Sequence, residues 1–146
     1  MFSPTEVLLF ASQFKKLYEK KIRGMAEHYG LTPNEVDILL FLVNNPGYDT
    51  AKDITEMRLL PKSCVSKSVD SLIRQGFLTS CEDEKDRRIL HLSILPAAYG
   101  VVKDAQASQQ EFLSCAYRNF SENERETLEY LTNKIMINIK ETLKEC

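Results

Sequence analysis

Apolar residues recur at helical spacing along most of the chain. Val7, Phe10, Ala11, Phe14, Leu17, Tyr18, Ile22, Met25, Ala26 and Tyr29 fall mostly three or four residues apart, which predicts one long amphipathic helix. Ser3-Pro-Thr-Glu6 marks its start, with Ser3 as N-cap, Pro4 in the first turn and Glu6 reaching back, and Gly30 marks its end. This stripe is longer and more aromatic than a single small domain covers, so part of it is expected to meet a partner chain. Thr32-Pro-Asn-Glu35 repeats the start signal. The segment after it, Val36 to Asn44, is apolar on nearly every side and predicts a buried helix, closed by Asn45-Pro-Gly47.

The middle of the chain reads as two short helices and a hairpin. Thr50 caps a helix over residues 51–57, with Asp53 at its third position and Ile54 and Met57 facing inward. Arg58-Leu-Leu60 connects it to a second helix over residues 62–75. Val65, Val69, Leu72 and Ile73 form one stripe of that helix, and Ser63, Ser66, Lys67, Asp70 and Arg74 fall opposite. Gly76 supplies a left-handed stop. Phe77 to Cys81 and Ile89 to Ile94 then read as strands around a charged tip, Glu82-Asp-Glu-Lys-Asp-Arg-Arg88, which makes a wing. His91 lies between Leu90 and Leu92 and is expected to face solvent or the wing's own surface. Pro96 opens another helix, with Val101, Val102, Ala105, Phe112, Leu113, Ala116, Tyr117 and Phe120 on its apolar face. Ser121-Glu-Asn-Glu124 starts the last one, which carries Leu128, Leu131, Ile135, Ile139 and Leu143. The predicted fold class is mainly α with a small β-hairpin wing: a winged helix-turn-helix flanked by long N- and C-terminal helices. With no repeat or flexible linker, residues 1–146 read as a single domain.

Composition narrows the chemistry. At 146 residues, 43% hydrophobic and 27% charged, the chain has ample material for a core. Its net charge of −2 opposes a general attraction to nucleic acid, so any such role rests on local charge. The polar face of the second short helix carries Lys67 and Arg74 against Asp70, which is expected to pair with one of them. That face suits either plain solvation or the major groove of DNA. In the wing, Arg87 and Arg88 stand on the returning edge. The four cysteines, Cys64, Cys81, Cys115 and Cys146, are widely separated and only two histidines accompany them, so neither a metal site nor a cofactor is expected. The chain shows no leader and no apolar run near the ~18 residues of a membrane span, and a cytoplasmic protein with reduced thiols is expected. A nucleophile–base pair, a phosphate-cradling glycine loop and paired catalytic carboxylates are all lacking, so the chain does not read as an enzyme.

Ser63-x-Val65-Ser66-Lys67, Leu72-x-x-x-Gly76-Phe77-Leu78 and Asp86-Arg87-Arg88, in that order and spacing, resemble the MarR family of bacterial winged-helix repressors. The resemblance covers about residues 5–143. It implies a homodimer that binds double-stranded DNA at a pseudo-palindrome, without membrane association. Residues 32–95 would form the DNA-binding region, and residues 1–30 and 96–146 the dimerisation helices. DNA contacts are implied at Thr50, Lys62, Ser63, Ser66, Lys67, Arg74, Asp86, Arg87 and Arg88, with Arg88 entering the minor groove and Asp86 holding it. The dimer interface would use Val7, Phe10, Phe14, Leu128, Leu131, Ile135, Ile139 and Leu143. A small aromatic or phenolic effector would bind near Tyr18, Arg23, His28 and Tyr29, between the dimer helices and the winged region. The chain departs from the family at Pro61, where a capping Ser or Asp is common, and at Leu59, where Gly is common. Leu95-Pro-Ala-Ala98 also replaces the usual Thr-x-x-Gly. Two rival readings are a thiol-based redox sensor acting through Cys64 and a winged helix that binds protein rather than DNA.

Overall fold

The start signals operate as local chemistry demands. Ser3, Thr32, Thr50 and Ser121 each accept the N–H of the residue three positions on, whose carboxylate accepts the cap's own N–H. These four capping boxes open α1 (Pro4–His28), α2 (Pro33–Asn44), α3 (Ala51–Arg58) and α6 (Glu122–Glu145) in the computed structural model, which describes residues 2–146. Between them lie α4 (Lys62–Arg74), β1 (Leu78–Glu82), β2 (Leu90–Ile94), a 3-10 turn at Pro96–Ala98 and α5 (Tyr99–Ala116). The element order is that of a mainly helical protein with a two-stranded antiparallel wing.

The chain divides into two compact units, one through Phe112 and one from Leu113 to Cys146. In the first, α2 is the central post. Val36, Ile38, Leu39, Leu40 and Phe41 are buried, and α1, α4 and β2 pack against it. Such a helix, apolar on nearly every side, leaves little of its surface to water. Around it lie Ile22 and Ala26 of α1, Ile54 of α3, Val65, Val69 and Leu72 of α4, Leu78 and Leu92 of the wing, and Val101, Val102 and Ala105 of α5. Each fully buried Leu or Ile contributes about 1.5–3 kcal/mol relative to exposure. Leu78 pairs with Ile94 and Cys81 with His91 across the wing.

The core differs from expectation in several places. Met57 is 47% exposed, not inward-facing. It lies some 60° round α3 from Ile54, on the last turn, where the chain already departs toward α4. Ser68 is buried among the apolar residues of α4, three residues after Val65 and four before Leu72, and so sits on the stripe itself. The strands start one residue later than the apolar runs suggest: the Phe77 N–H donates to the Leu72 carbonyl at the exit from α4, and the Ile89 N–H donates to the Asp86 carbonyl in the tip turn.

In the second unit, α6 has no buried residue. Leu128, Leu131, Ile135, Ile139 and Leu143 are all exposed, Ile135 by 58%. The first turns of α1 are similar: Val7 and Phe10 are exposed, while Phe14 is half-buried with its ring edge-on to Phe112 at 4.9 Å. No helix is long and apolar enough to cross a membrane.

Candidate nucleic-acid interface

Helix α4 is moored on one side and open on the other. Its buried stripe sits against α2, and a carboxylate of α2 adds a polar fastening. Glu35, only 6% exposed, accepts hydrogen bonds through Oε2 from Ser71 Oγ at 3.0 Å and Gln75 Nε2 at 2.8 Å. Its Oε1 accepts the Thr32 N–H of the capping box. Ser71 of α4 and its C-cap Gln75 lie one helical turn apart, so one carboxylate fixes both the helix's position and its rotation. The far side presents Lys62, Ser63, Ser66, Lys67 and Arg74 to solvent. Pro61 stands at the N-cap and supplies no side-chain acceptor to the first turn. Asp70 forms no ion pair with Lys67 or Arg74 among the described residues; its side chain lines the groove under the wing instead.

The wing tip is built from two carboxylates used in sequence. Asp83 Oδ2 accepts the N–H groups of Lys85 and Asp86, which closes the turn. Asp86 then accepts the Arg88 N–H and grips its guanidinium twice, with Oδ1 at 3.1 Å from Nε and Oδ2 at 3.1 Å from the terminal nitrogen. This two-pronged geometry orients a guanidinium as no single bond does. The side chain of Arg88 is 90% exposed, so it is aimed but not hidden. The hydrogen bonds from Arg88 hold the Asp86 carboxyl below its usual range, and those from His91 first, then from the turn's N–H groups, do the same for Asp83. Arg87 is exposed beside it.

A groove of about 570 Å³ runs between α3, α4 and the wing, and it brings Thr50, Ser66 and Arg88 to one place. Thr50 also serves as the α3 cap, with its Oγ1 accepting the Asp53 N–H at 3.1 Å. Lys62, Ser63, Lys67, Arg74, Asp86 and Arg87 lie outside that groove. His91 faces the wing's own surface as expected, and also reaches beyond it. Although it is half-exposed on β2, its ring nitrogens are committed, Nδ1 to Asp49 Oδ1 at 2.7 Å and Nε2 to Asp83 Oδ1 at 2.8 Å. Asp49 belongs to the segment before α3, not to the wing.

The four residues expected at an effector site do not share one cavity. Tyr18 lines a cavity of about 230 Å³ with Asp37, Arg58 and Gln109. Its hydroxyl donates to Asp37 and accepts from Gln109 Nε2, and Arg58 bonds the other Asp37 oxygen at 3.1 Å. Burial raises the Asp37 carboxyl above its ordinary value against the opposing pull of Arg58. Burial is also the main cause that raises the Tyr18 phenol. Arg23 and His28 are exposed, and Tyr29 is turned to Asp104 and the Gly100 carbonyl. Asp37, Arg58 and Gln109 escaped notice because they are ordinary surface residue types on three separate helices. All four cysteines are free, with Cys64 half-buried, and no group of His, Cys, Asp and Glu among the described residues is arranged to hold a metal.

The sequence pattern of the MarR family matches residues 29–89, from the end of α1 to the wing tip. Helices α2 to α4, β1 and the wing tip carry the pattern of that family. This is a family of DNA-binding transcriptional regulators, not of enzymes. The HTH-type transcriptional regulator YkoM of Bacillus subtilis (strain 168) is 27% identical over 135 residues, which cover 92% of this chain and 86% of that one. A MarR protein from Peptoclostridium difficile superimposes with a TM-score of 0.82 at 17% identity, covering 97% of this chain and 94% of its own. The MepR–DNA complex of S. aureus matches with a TM-score of 0.73 at 17% identity, over 94% of this chain and 99% of that one. At such identities the structural likenesses establish the winged-helix fold of this chain and leave its ligands to its own residues.

Proposed function

We propose that this protein is a MarR-family regulator that binds a pseudo-palindromic operator as a homodimer and represses transcription in the bacterial cytoplasm until a small aromatic or phenolic acid releases it. The observation that carries this reading is the double grip of Asp86 on an otherwise exposed Arg88, beyond a helix whose open face is Ser63, Ser66 and Lys67. A guanidinium held outward suits the negative potential of a narrow minor groove, and hydroxyls and an ammonium group suit the phosphates and base edges of the major groove. Residues 32–95 provide these contacts. Residues 1–30 and 96–146 provide the dimer surface, a role supported by the exposed aliphatic rows of α1 and α6. Two copies of α4 would enter successive major grooves about 10 base pairs apart.

The cavity beside Tyr18 supports the effector part of the reading. An aromatic acid there would meet the Tyr18 hydroxyl and the Arg58 guanidinium, both bonded to Asp37. Competition for Arg58 would loosen the α2–α3 bond and shift the population between binding-competent and released geometries.

Selecting duplexes from a random pool with the purified protein, then titrating binding against salt, tests the proposal. Two chains per duplex, half-sites about 10 base pairs apart and a steep negative log–log salt slope are expected. Arg88→Ala should reduce that slope by about one or less. A protein that retains no duplex from the pool in a salt-dependent way is not a DNA reader.

A further inference from the structure

His91 makes the polar contacts that tie the wing to the segment before α3, and the DNA-contact residues do not account for it. Its ring lies between two carboxylates, Asp49 Oδ1 at 2.7 Å and Asp83 Oδ1 at 2.8 Å. A neutral imidazole has one donor nitrogen, so bonding both ionised carboxylates requires the doubly protonated ring. The backbone adds a bond at the same place, from the Leu92 N–H to the Asp49 carbonyl at 2.8 Å. On the other side, the Asp83 carboxylate that holds Nε2 also closes the tip turn through the N–H groups of Lys85 and Asp86. Asp86 in turn grips Arg88. A continuous series of bonds therefore runs from the segment preceding α3, through His91, to the arginine at the wing tip.

We propose that His91 is a positioning residue for DNA binding: by bridging Asp49 and Asp83 it sets the attitude of the wing against the helix-turn-helix, and so the direction in which Arg88 is presented. The inference rests on the DNA-binding reading above. It assigns the histidine no contact with DNA. Its charge state is consistent with the role, since the bonds the ring donates to Asp83 and Asp49 raise it to about 9 from 6.5. The raised value gives the sign: in the folded protein the ring keeps both donors while pH stays well below about 9, and the bridge is lost as pH rises through that value. The other charged groups on the same groove are Lys52 and Asp53 of α3, Asp70 of α4 and Arg88 itself. Any pH effect must therefore be read against a variant that lacks only the ring.

The test is a double-mutant cycle on the intact protein, with a duplex selected by the wild type as probe. His91→Gln is expected to weaken binding about fivefold, part of the roughly tenfold that a single arginine contact to a groove carries. In the Arg88→Ala background the same change should cost less than about twofold, because nothing remains to be aimed. Asp49→Ala, which removes only the helix-side acceptor of the bridge, should follow the same pattern. Between about pH 7 and about pH 10 the wild type should lose affinity more steeply than His91→Gln. Equal losses with and without Arg88, or no loss at all, overturn the positioning role while duplex binding by the wild type stands. A wild type that binds no selected duplex removes the DNA-binding reading and this inference together.

Discussion

Replacing Glu35 with alanine should loosen α4 from α2 and lower the free energy of unfolding by about 2–3 kcal/mol. The carboxylate accepts three hydrogen bonds, from the Thr32 N–H at 3.1 Å, Ser71 Oγ at 3.0 Å and Gln75 Nε2 at 2.8 Å. A bond to a charged acceptor contributes about 1.5–3 kcal/mol net, so taken at face value the three exceed the expected loss. Two effects reduce it. Gln75 Nε2 also donates to Ser71 Oγ at 3.0 Å, and Gln75 is exposed, so neither partner is orphaned once the carboxylate is gone. In addition, Glu35 is 6% exposed, and drawing an ion that far from water costs several kcal/mol, which the alanine chain no longer bears. Glu35→Gln separates the contributions. It retains the capping geometry and one acceptor oxygen, and should cost about 1 kcal/mol. Urea denaturation followed by circular dichroism measures both variants, with the expected change appearing in the midpoint at constant slope. An alanine variant within about 0.5 kcal/mol of wild type would refute the mooring. So would a glutamine variant as damaged as the alanine one, since the loss would then not follow the number of acceptors.

Leu59 holds a left-handed backbone, φ +53°, with its side chain 86% exposed. A non-glycine residue pays about 1 kcal/mol there, and glycine's greater unfolded freedom returns part of it, so Leu59→Gly should stabilise the protein by about 0.5 kcal/mol. A lower urea midpoint would mean that the exposed leucine makes a contact in the turn that its burial does not suggest. Asp37 gives a pH test with a definite sign. Burial raises its folded-state pKa above 3.8, so the charged form carries a cost that is absent below 3.8 and complete above the raised value. Stability of the wild type relative to Asp37→Asn should accordingly fall as pH rises through that window, as read by urea unfolding from about pH 4 to about pH 7. A difference that grows in the wild type's favour would show that Arg58 outweighs burial.

What the chain discloses in its sequence follows the range of the contacts involved. A capping box closes over three residues, so Ser3, Thr32, Thr50 and Ser121 announce their helices without any tertiary information. The same holds for the Asp86–Arg88 pair, two residues apart, whose geometry is as the D-R-R motif suggests. Periodicity carries Val65, Val69 and Leu72 to the inside of α4, and it fails at Met57, where a short helix ends before its inner face is complete. Residues that orient the site belong to another class. Glu35 meets Ser71 and Gln75 across 36 and 40 positions, and His91 meets Asp49 across 42. In sequence Glu35 is only a cap and His91 only the polar member of an alternating strand, because pattern rules assign each residue one face and one partner distance. Both side chains do a second job that arises only once α2, α4 and the wing are assembled. Surfaces proposed to touch DNA can thus be read from residue type and spacing, whereas the polar bonds that set their angles are products of the fold.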